Sequence, residues 1–482
     1  MNYGVIRRVA GSLLIVEALL FIPGLLISLY YREASWTALG ISALITLGAG
    51  FLLFLSARRG EDTLRPKDGL AIVALGWLLA SAFGALPFVI SGFIPRYIDA
   101  FFETVSGFTT TGATILTDVE VLDRGIQFWR LFTHWIGGMG ILVFSLALLP
   151  ALGIGSFQIY KAESPGPVAG KLAPRMRNTA RILYISYLGL TILQIILLTV
   201  GGMTLYEATL SSFSTMGTGG FGMYNDSVAR FNDVNQITLA IFMILAGLNF
   251  GLYYLGYRRK WREVFSNQEM RFFLLIIALA TGTIMLDLLL RYNLDVWRAF
   301  RDAFVQVTSI ISTTGIANHD FTLWPYYSQM VLVMIMFVGG CAGSTAGGMK
   351  VVRILVSTKL IKREFSKLAH PKVYNPIKMD GRIVPMEIVS GINSFIGLHL
   401  VVYVLGVLLI SFDNQDIVTT VTSVAATLNN VGPGLALVGP KFNYSFFSDY
   451  AKVVFSFLML LGRLELFTIF ALLAPKRWLD ES

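Results

Sequence analysis

The sequence predicts an all-α polytopic membrane protein, built as four like repeats behind two extra N-terminal transmembrane helices. Three observations carry that prediction: an apolar composition, ten membrane-length apolar stretches, and a glycine-ended motif that recurs four times. Of the 482 residues, 55% are hydrophobic and only 14% are charged, and the mean hydropathy is +0.68. Soluble domains carry about 25% charged residues, so the principal solvent of this chain is lipid. The lone Cys341 excludes an internal disulfide and a cysteine-based metal site. A net charge of +9 would suggest nucleic acid for a soluble chain. Here it is assigned to cationic loops beside the lipid bilayer, and no nucleic-acid partner is expected.

A bilayer span takes about 20 apolar residues. In chain order the stretches are 9–31, 36–57, 69–94, 126–149, 182–202, 234–257, 272–290, 323–349, 384–412 and 450–474. The first follows Arg7 and Arg8 but is too long for a signal peptide and lacks a small-residue cleavage site, so it reads as a retained helix. Four shorter apolar stretches, 98–109, 204–214, 296–312 and 415–427, each run into Gly, Thr, Ser or Asn. They are too short to cross and read as re-entrant helices that return to their own side. The expected division is 1–66 for the two N-terminal helices, then repeats at 67–160, 161–262, 263–375 and 376–482.

With the N-terminus in the cytoplasm, most of the 38 Lys and Arg residues fall on the cytoplasmic side, and both termini lie there. The outer segments carry Asp99, Glu103, Asp118, Glu120, Asp123, Glu207 and Asp226, which would gather cations at an entrance.

The recurring motif is Ser-Gly-Phe-Thr-Thr-Thr-Gly (Ser106–Gly112), Ser-Ser-Phe-Ser-Thr-Met-Gly (Ser211–Gly217), Ser-Ile-Ile-Ser-Thr-Thr-Gly (Ser309–Gly315) and Ala-Thr-Leu-Asn-Asn-Val-Gly (Ala426–Gly432). The terminal glycines are 105, 98 and 117 residues apart, and each unit reads helix, short re-entrant helix, loop, helix. Backbone outside a helix leaves polar groups unpaired at a cost of several kcal/mol each in lipid, unless it lines a wet cavity or is itself a ligand. A dehydrated monovalent cation needs about six to eight oxygens, and four loops of stacked carbonyls supply such a cage. The candidate cage residues are Thr109, Thr110, Thr111 and Gly112; Ser214, Thr215, Met216 and Gly217; Ser312, Thr313, Thr314 and Gly315; and Asn429, Asn430, Val431 and Gly432. The glycines allow the unusual φ/ψ that turns a carbonyl inward. The hydroxyls offer a further oxygen layer, and the short helices aim their negative ends at the same axis.

These motifs extend to Ala113-Thr114, to Thr218-Gly219-Gly220-Phe221-Gly222, to Ile316-Ala317 and to Pro433-Gly434, and they are joined by Trp135–Ile141 (Trp-Ile-Gly-Gly-Met-Gly-Ile) and by Gly339–Lys350 (Gly-Gly-Cys-Ala-Gly-Ser-Thr-Ala-Gly-Gly-Met-Lys). With them, nearly the whole chain resembles the TrkH/KtrB/HKT superfamily of K⁺ transporters, and the two extra N-terminal helices set it nearest the TrkH branch. The resemblance implies K⁺ uptake across a bacterial inner membrane through one K⁺- and Rb⁺-selective pore per protomer, a homodimer, and control by a cytosolic nucleotide-binding ring of the TrkA type. It implies no bound cofactor beyond the transported K⁺, held at the filter residues above. All four mapped filter positions are Gly rather than the Ser of some Na⁺-carrying relatives, which favours K⁺. The fourth loop departs from the pattern, with Asn429-Asn430-Val431 in place of Ser and Thr.

Stretch 323–349 is broken by five glycines within Gly339–Gly348, each costing a helix about 1 kcal/mol relative to Ala. Gly343, Ser344, Thr345, Ala346 and Gly347 are therefore expected to form a loop below the filter that blocks the path and swings away. Arg463 is read as the only cation inside a predicted span, facing the pore and bonding loop groups near 343–347. Glu465 lies two residues on, off the same helix face. His134, His319, His370 and His399 show no metal-ligand spacing. No phosphate loop occurs, so nucleotide control is assigned to a partner docking on 350–382 or 161–181. The alternative class is a secondary transporter of an organic solute, against which four near-equal repeats argue. An intramembrane enzyme is disfavoured because Glu17, Asp287 and Glu465 are scattered.

Overall fold

The computed structural model describes residues 2–57, 66–140, 176–292, 294–370, 375–464 and 466. The basic stretch 161–175, the ends of stretches 126–149 and 450–474, Glu465 and the tail lie outside them.

Helices α1 (Tyr3–Leu20) and α2 (Ile22–Tyr31) form one apolar rod of 29 residues, and α3 (Trp36–Ser56) returns beside it. Gly11 and Gly50 meet where they cross: a Cβ on Gly11 would lie 2.6 Å from the Gly50 oxygen. Helices in lipid gain little from burying apolar surface, so close backbone contact at small residues supplies the attraction.

The first repeat comprises α4 (Pro66–Gly84) with the short α5 (Leu86–Ile90), then α6 (Tyr97–Phe108) and α7 (Arg124–Gly138). The second comprises α8 (Met176–Val200), α9 (Leu205–Gly217), α10 (Asp233–Gly247) and α11 (Phe250–Tyr257), with α12 (Trp261–Ser266) as connector. The third comprises α13 (Gln268–Tyr292), α14 (Val296–Ile311), α15 (Tyr326–Met336) and α16 (Val351–Ala369). A two-stranded hairpin, β1 (Lys378–Met379) and β2 (Arg382–Ile383), leads to the fourth: α17 (Met386–Ser411), α18 (Ile417–Leu428) and α19 (Asp449–Arg463). Three of the four short helices, α9, α14 and α18, start where the sequence offers caps. Thr204 and Glu207 close a capping box, and the Asp295 and Asp416 carboxylates accept N–H groups of the following turn.

Among the described residues, six of the ten expected spans are helices long and apolar enough to cross a membrane. Side chains such as Leu52, Val200 and Leu290, 72%, 81% and 83% exposed, form its lipid-facing surface. The expectation of an unbroken span fails for the closing stretch of the second repeat, whereas the break in stretch 323–349 is the expected one, and the closing parts of 126–149 and 450–474 lie outside the described residues. Stretch 234–257 bends by 92° between α10 and α11, and α7, α15 and α19 stop at Gly138, Met336 and Arg463. At the bend, Gly247-Leu248-Asn249 interrupts the ladder and the Asn249 side chain caps α11 through the Gly251 N–H. Hydropathy registers apolar length and not such a break, which is why the stretch reads as one helix.

Candidate functional site

The four short helices α6, α9, α14 and α18 end in the same way. One residue past or near the helix end enters the left-handed region: Thr110 (φ 56°), Thr218 (φ 55°), Thr313 (φ 55°) and Asn430 (φ 54°). The N–H after it reaches back five residues: Thr111 to Ser106, Gly219 to Ser214, Thr314 to Ser309 and Val431 to Ala426, at 2.8–2.9 Å. This is a Schellman ending, normally built on glycine. Two residues after the left-handed position comes a glycine with positive φ: Gly112 (81°), Gly220 (82°), Gly315 (76°) and Gly432 (94°).

That pattern corrects the second repeat. Gly217 is the last residue of α9, and Ser214, Thr215 and Met216 lie within the helix. The structural counterparts of Thr109–Gly112 are Gly217, Thr218, Gly219 and Gly220. The run Met216-Gly217-Thr218-Gly219-Gly220 offers three glycines, and the motif match selects the first of them. The helix persists for one turn longer, and the positive φ falls on the third.

The four loops close on one another in sequence. A Cβ on Gly112 would run into the Gly219 carbonyl oxygen, one on Gly220 into that of Thr314, one on Gly315 into that of Val431, and one on Gly432 into that of Thr111. Only glycine permits this approach, and the circuit returns to its start. All four of these glycines line a single cavity of about 110 Å³, with Thr114, Asn225, Lys441 and Asn443 around it. Gly217 does not line it. At the rim, the Asn225 amide and then the Glu120 N–H hold the Asp118 carboxyl below the usual carboxylate range.

Thr110, Thr111, Thr218, Thr313, Thr314, Asn430 and Val431 are completely buried, and Gly219 is buried with them. Among the described residues no hydrogen bond ends on the backbone carbonyl of any of the eight. Hydroxyls brace the loops instead: Thr109 and Thr111 bond each other at 2.8 Å, and Ser312 and Thr314 at 2.7 Å.

The broken segment after α15 lies against this ring. The Gly347 N–H donates to Thr313 Oγ1 at 2.6 Å. The bend of α10 frees backbone groups, and this segment pairs with them. Cys341 N–H donates to the Gly247 carbonyl at 2.8 Å, Thr345 Oγ1 to that of Ala246 at 3.1 Å, and Phe250 N–H to that of Gly343 at 3.0 Å. Arg463, at the end of α19, donates to the Thr345 carbonyl at 2.7 Å, to that of Gly138 at 2.9 Å and to that of Gly137. One guanidinium thus ties the fourth repeat to the loop of the third and to the freed helix end of the first.

Residues 37–478 match the TrkH family, described as cation transport proteins. The chain belongs to the TrkH family. The Trk system potassium uptake protein TrkH of Halomonas elongata is 35% identical, over 99% of this chain and 100% of the relative. Its counterpart in Escherichia coli is 36% identical with the same coverage. The crystal structure of the potassium transporter TrkH from Vibrio parahaemolyticus superposes with a TM-score of 0.88 at 34% identity, covering 99% of this chain and all of that one.

Several residues that support the TrkH-family ring escape a motif reading. Arg130 contradicts the expectation that Arg463 is the only cation within a span. It is 1% exposed, bonds Glu103 at 2.7 Å and donates to the Gly222 carbonyl at 3.0 Å. Glu103 is therefore no surface acid at an entrance. It is buried, and also accepts from Thr114 and the Ile115 N–H. Lys452, likewise inside a predicted span, pairs with Asp99 at 2.6 Å. His134 spans the first two repeats, with Nδ1 against the Gly107 carbonyl at 2.8 Å and Nε2 accepting the Phe221 N–H at 3.1 Å. Those two bonds assign the neutral tautomer protonated on Nδ1. Tyr444 donates to the Gly432 carbonyl at 2.9 Å, and the Asn430 amide joins Thr111 Oγ1 at 3.0 Å to the Met459 carbonyl. An Arg inside the stretch 126–149 and a Glu three residues before the first motif, inside the short apolar stretch 98–109, were the available signal for the first pair. Nothing local marks His134.

Proposed function

We propose that this chain takes up K⁺, and equally Rb⁺, through a filter made of Thr109–Gly112, Gly217–Gly220, Ser312–Gly315 and Asn429–Gly432. The observation that carries the reading is the buried circuit of backbone carbonyls with no hydrogen-bond donor among the described residues. Dry, each would cost about 1–3 kcal/mol. A dehydrated cation of fitting size offsets that cost, and the relatives named as potassium uptake proteins supply its identity. The carbonyls carry no full charge, so the ion leaves as readily as it enters.

The loop Gly343–Gly347, tied by Arg463, is the gate on the path beyond the filter. Arg463 adds a positive charge that opposes cation passage until loop and guanidinium move apart. The chain works as a homodimer in a bacterial inner membrane, with both termini cytoplasmic. A cytosolic nucleotide-binding ring of the TrkA type docks on the basic face around α16, where Lys362, Arg363 and Lys367 are carried. The name Trk system, borne by the relatives, supports such a partner.

Purified protein in planar bilayers tests this through its reversal potential under K⁺, Na⁺ and pH gradients. A potential that follows the K⁺ gradient and ignores the other two is expected. Equal response to Na⁺ and K⁺ overturns the filter assignment.

A further inference from the structure

Glu269 stands in the first turn of α13 and is 6% exposed. Its carboxylate accepts the Ala342 N–H at 2.7 Å. The Val352 N–H, in the first turn of α16, faces the same carboxylate. Ala342 and Val352 bracket the loop, one near each end. Helix α16 has no side-chain cap of its own: Lys350 occupies the N-cap position at φ 75° without a capping bond. A helix start presents unpaired N–H groups and the positive end of the macrodipole, where a carboxylate is favourable. Here that carboxylate comes from another helix. The other ionisable groups around Glu269 are Lys350, Cys341 and Asp380. The anchor is itself held, because Asp380 accepts from the Gln268 N–H at 2.9 Å and the Asn267 amide at 3.1 Å. Arg463 and Thr313 bind the middle of the loop.

We infer that Glu269 is a positioning residue that clamps the two ends of the 339–350 loop together in the closed arrangement, an inference that rests on reading this loop as the gate. Without the clamp both hinges loosen and the loop leaves the ring more often. The chain carries its own reporter. Cys341 is the single cysteine, buried, and adjacent to Ala342.

The test uses the purified full chain in proteoliposomes, with Rb⁺ uptake and maleimide labelling of Cys341 as separate readouts. Glu269→Ala is expected to raise both rates by about tenfold, the factor that losing one hydrogen bond to a charged acceptor corresponds to. Glu269→Gln keeps an acceptor for the Ala342 N–H and is expected to recover most of both. Wild-type labelling in a Glu269→Ala protein with an unchanged melting temperature overturns the clamp. If Glu269→Ala fails to fold, Glu269→Asp takes its place: its shorter side chain cannot reach both N–H groups, so labelling should be intermediate, and wild-type labelling again overturns it. Deletion of residues 343–347 separates the two readings. Unchanged Rb⁺ flux after the deletion defeats the gate while the labelling still judges the clamp. Raised flux after the deletion, with neither readout altered by Glu269→Ala, defeats the clamp alone.

Discussion

Three of the four left-handed positions at the ring are threonines, whose branched Cβ disfavours that region. Each stores about 1–3 kcal/mol of strain, which the surrounding bonds must hold. The neighbouring glycines have no such latitude, and the register of the second repeat follows from them. Gly220→Ala would push a Cβ into the Thr314 carbonyl at φ 82°. The expected outcome is a drop of about tenfold in the K⁺-over-Na⁺ permeability ratio, since carbonyl position sets ion preference. Gly217→Ala meets the His134 backbone instead, so it should lower the melting temperature and leave that ratio in the surviving protein unchanged. The opposite pattern would restore the motif-based register. Arg130 provides a second residue-scale prediction. Arg130→Met leaves Glu103 charged and unpaired in a buried site. A loss of about 3–5 kcal/mol is expected, with substantial recovery in the Arg130→Met, Glu103→Gln double variant. Unfolding of detergent-solubilised protein measures both, and an Arg130→Met protein as stable as wild type would contradict the account.

Among the elements, the short helices were legible from their closing runs, and three of the four also have a marked start, α6 beginning after Arg96 without a capping side chain. Thr204, Asp295 and Asp416 cap those three starts, and the Ser/Thr/Asn-to-Gly runs close all four helices. The break after α15 was legible from its glycine density. The bend after α10 was not, because one Gly and one Asn in an apolar run look the same as helix packing residues. Its role appears only when the partner is seen: the carbonyls of Ala246 and Gly247, released by the bend, are the acceptors for Thr345 and Cys341. Two broken helices satisfy each other, which is how irregular backbone survives at membrane depth. Arg463 completes this arrangement by binding the free carbonyls of α7 and the loop together. Arg463→Ala therefore removes both a tether and a positive charge from the proposed gate. Rb⁺ flux into proteoliposomes should rise severalfold at equal protein density, and Arg463→Lys, which keeps the charge but has no planar fork, should fall between. Flux that is unchanged or lower in Arg463→Ala would remove this residue from the gate.

At the scale of the whole molecule, the ring is where all four repeats touch in turn, each glycine against the next repeat's carbonyl. Chain order alone implied four copies about an axis. It did not show that copy four closes onto copy one, because that contact, Gly432 against Thr111, spans most of the chain. Closure has an energetic consequence. Carbonyl dipoles without donors repel one another and lack hydration, so an empty ring weakens the joint between repeats. An ion bound there exists only in the folded state and stabilises the whole fold by mass action, about 2.7 kcal/mol at a hundredfold excess over its dissociation constant. The melting temperature should therefore be higher in K⁺ or Rb⁺ than in choline at equal ionic strength, by about 2–5 °C, with Na⁺ closer to choline. Gly220→Ala should erase the difference, whereas Arg463→Ala, which acts beyond the ring, should keep it. Equal melting in K⁺ and choline for the wild-type chain would mean that these carbonyls hold no ion, and the proposed filter would fall with them.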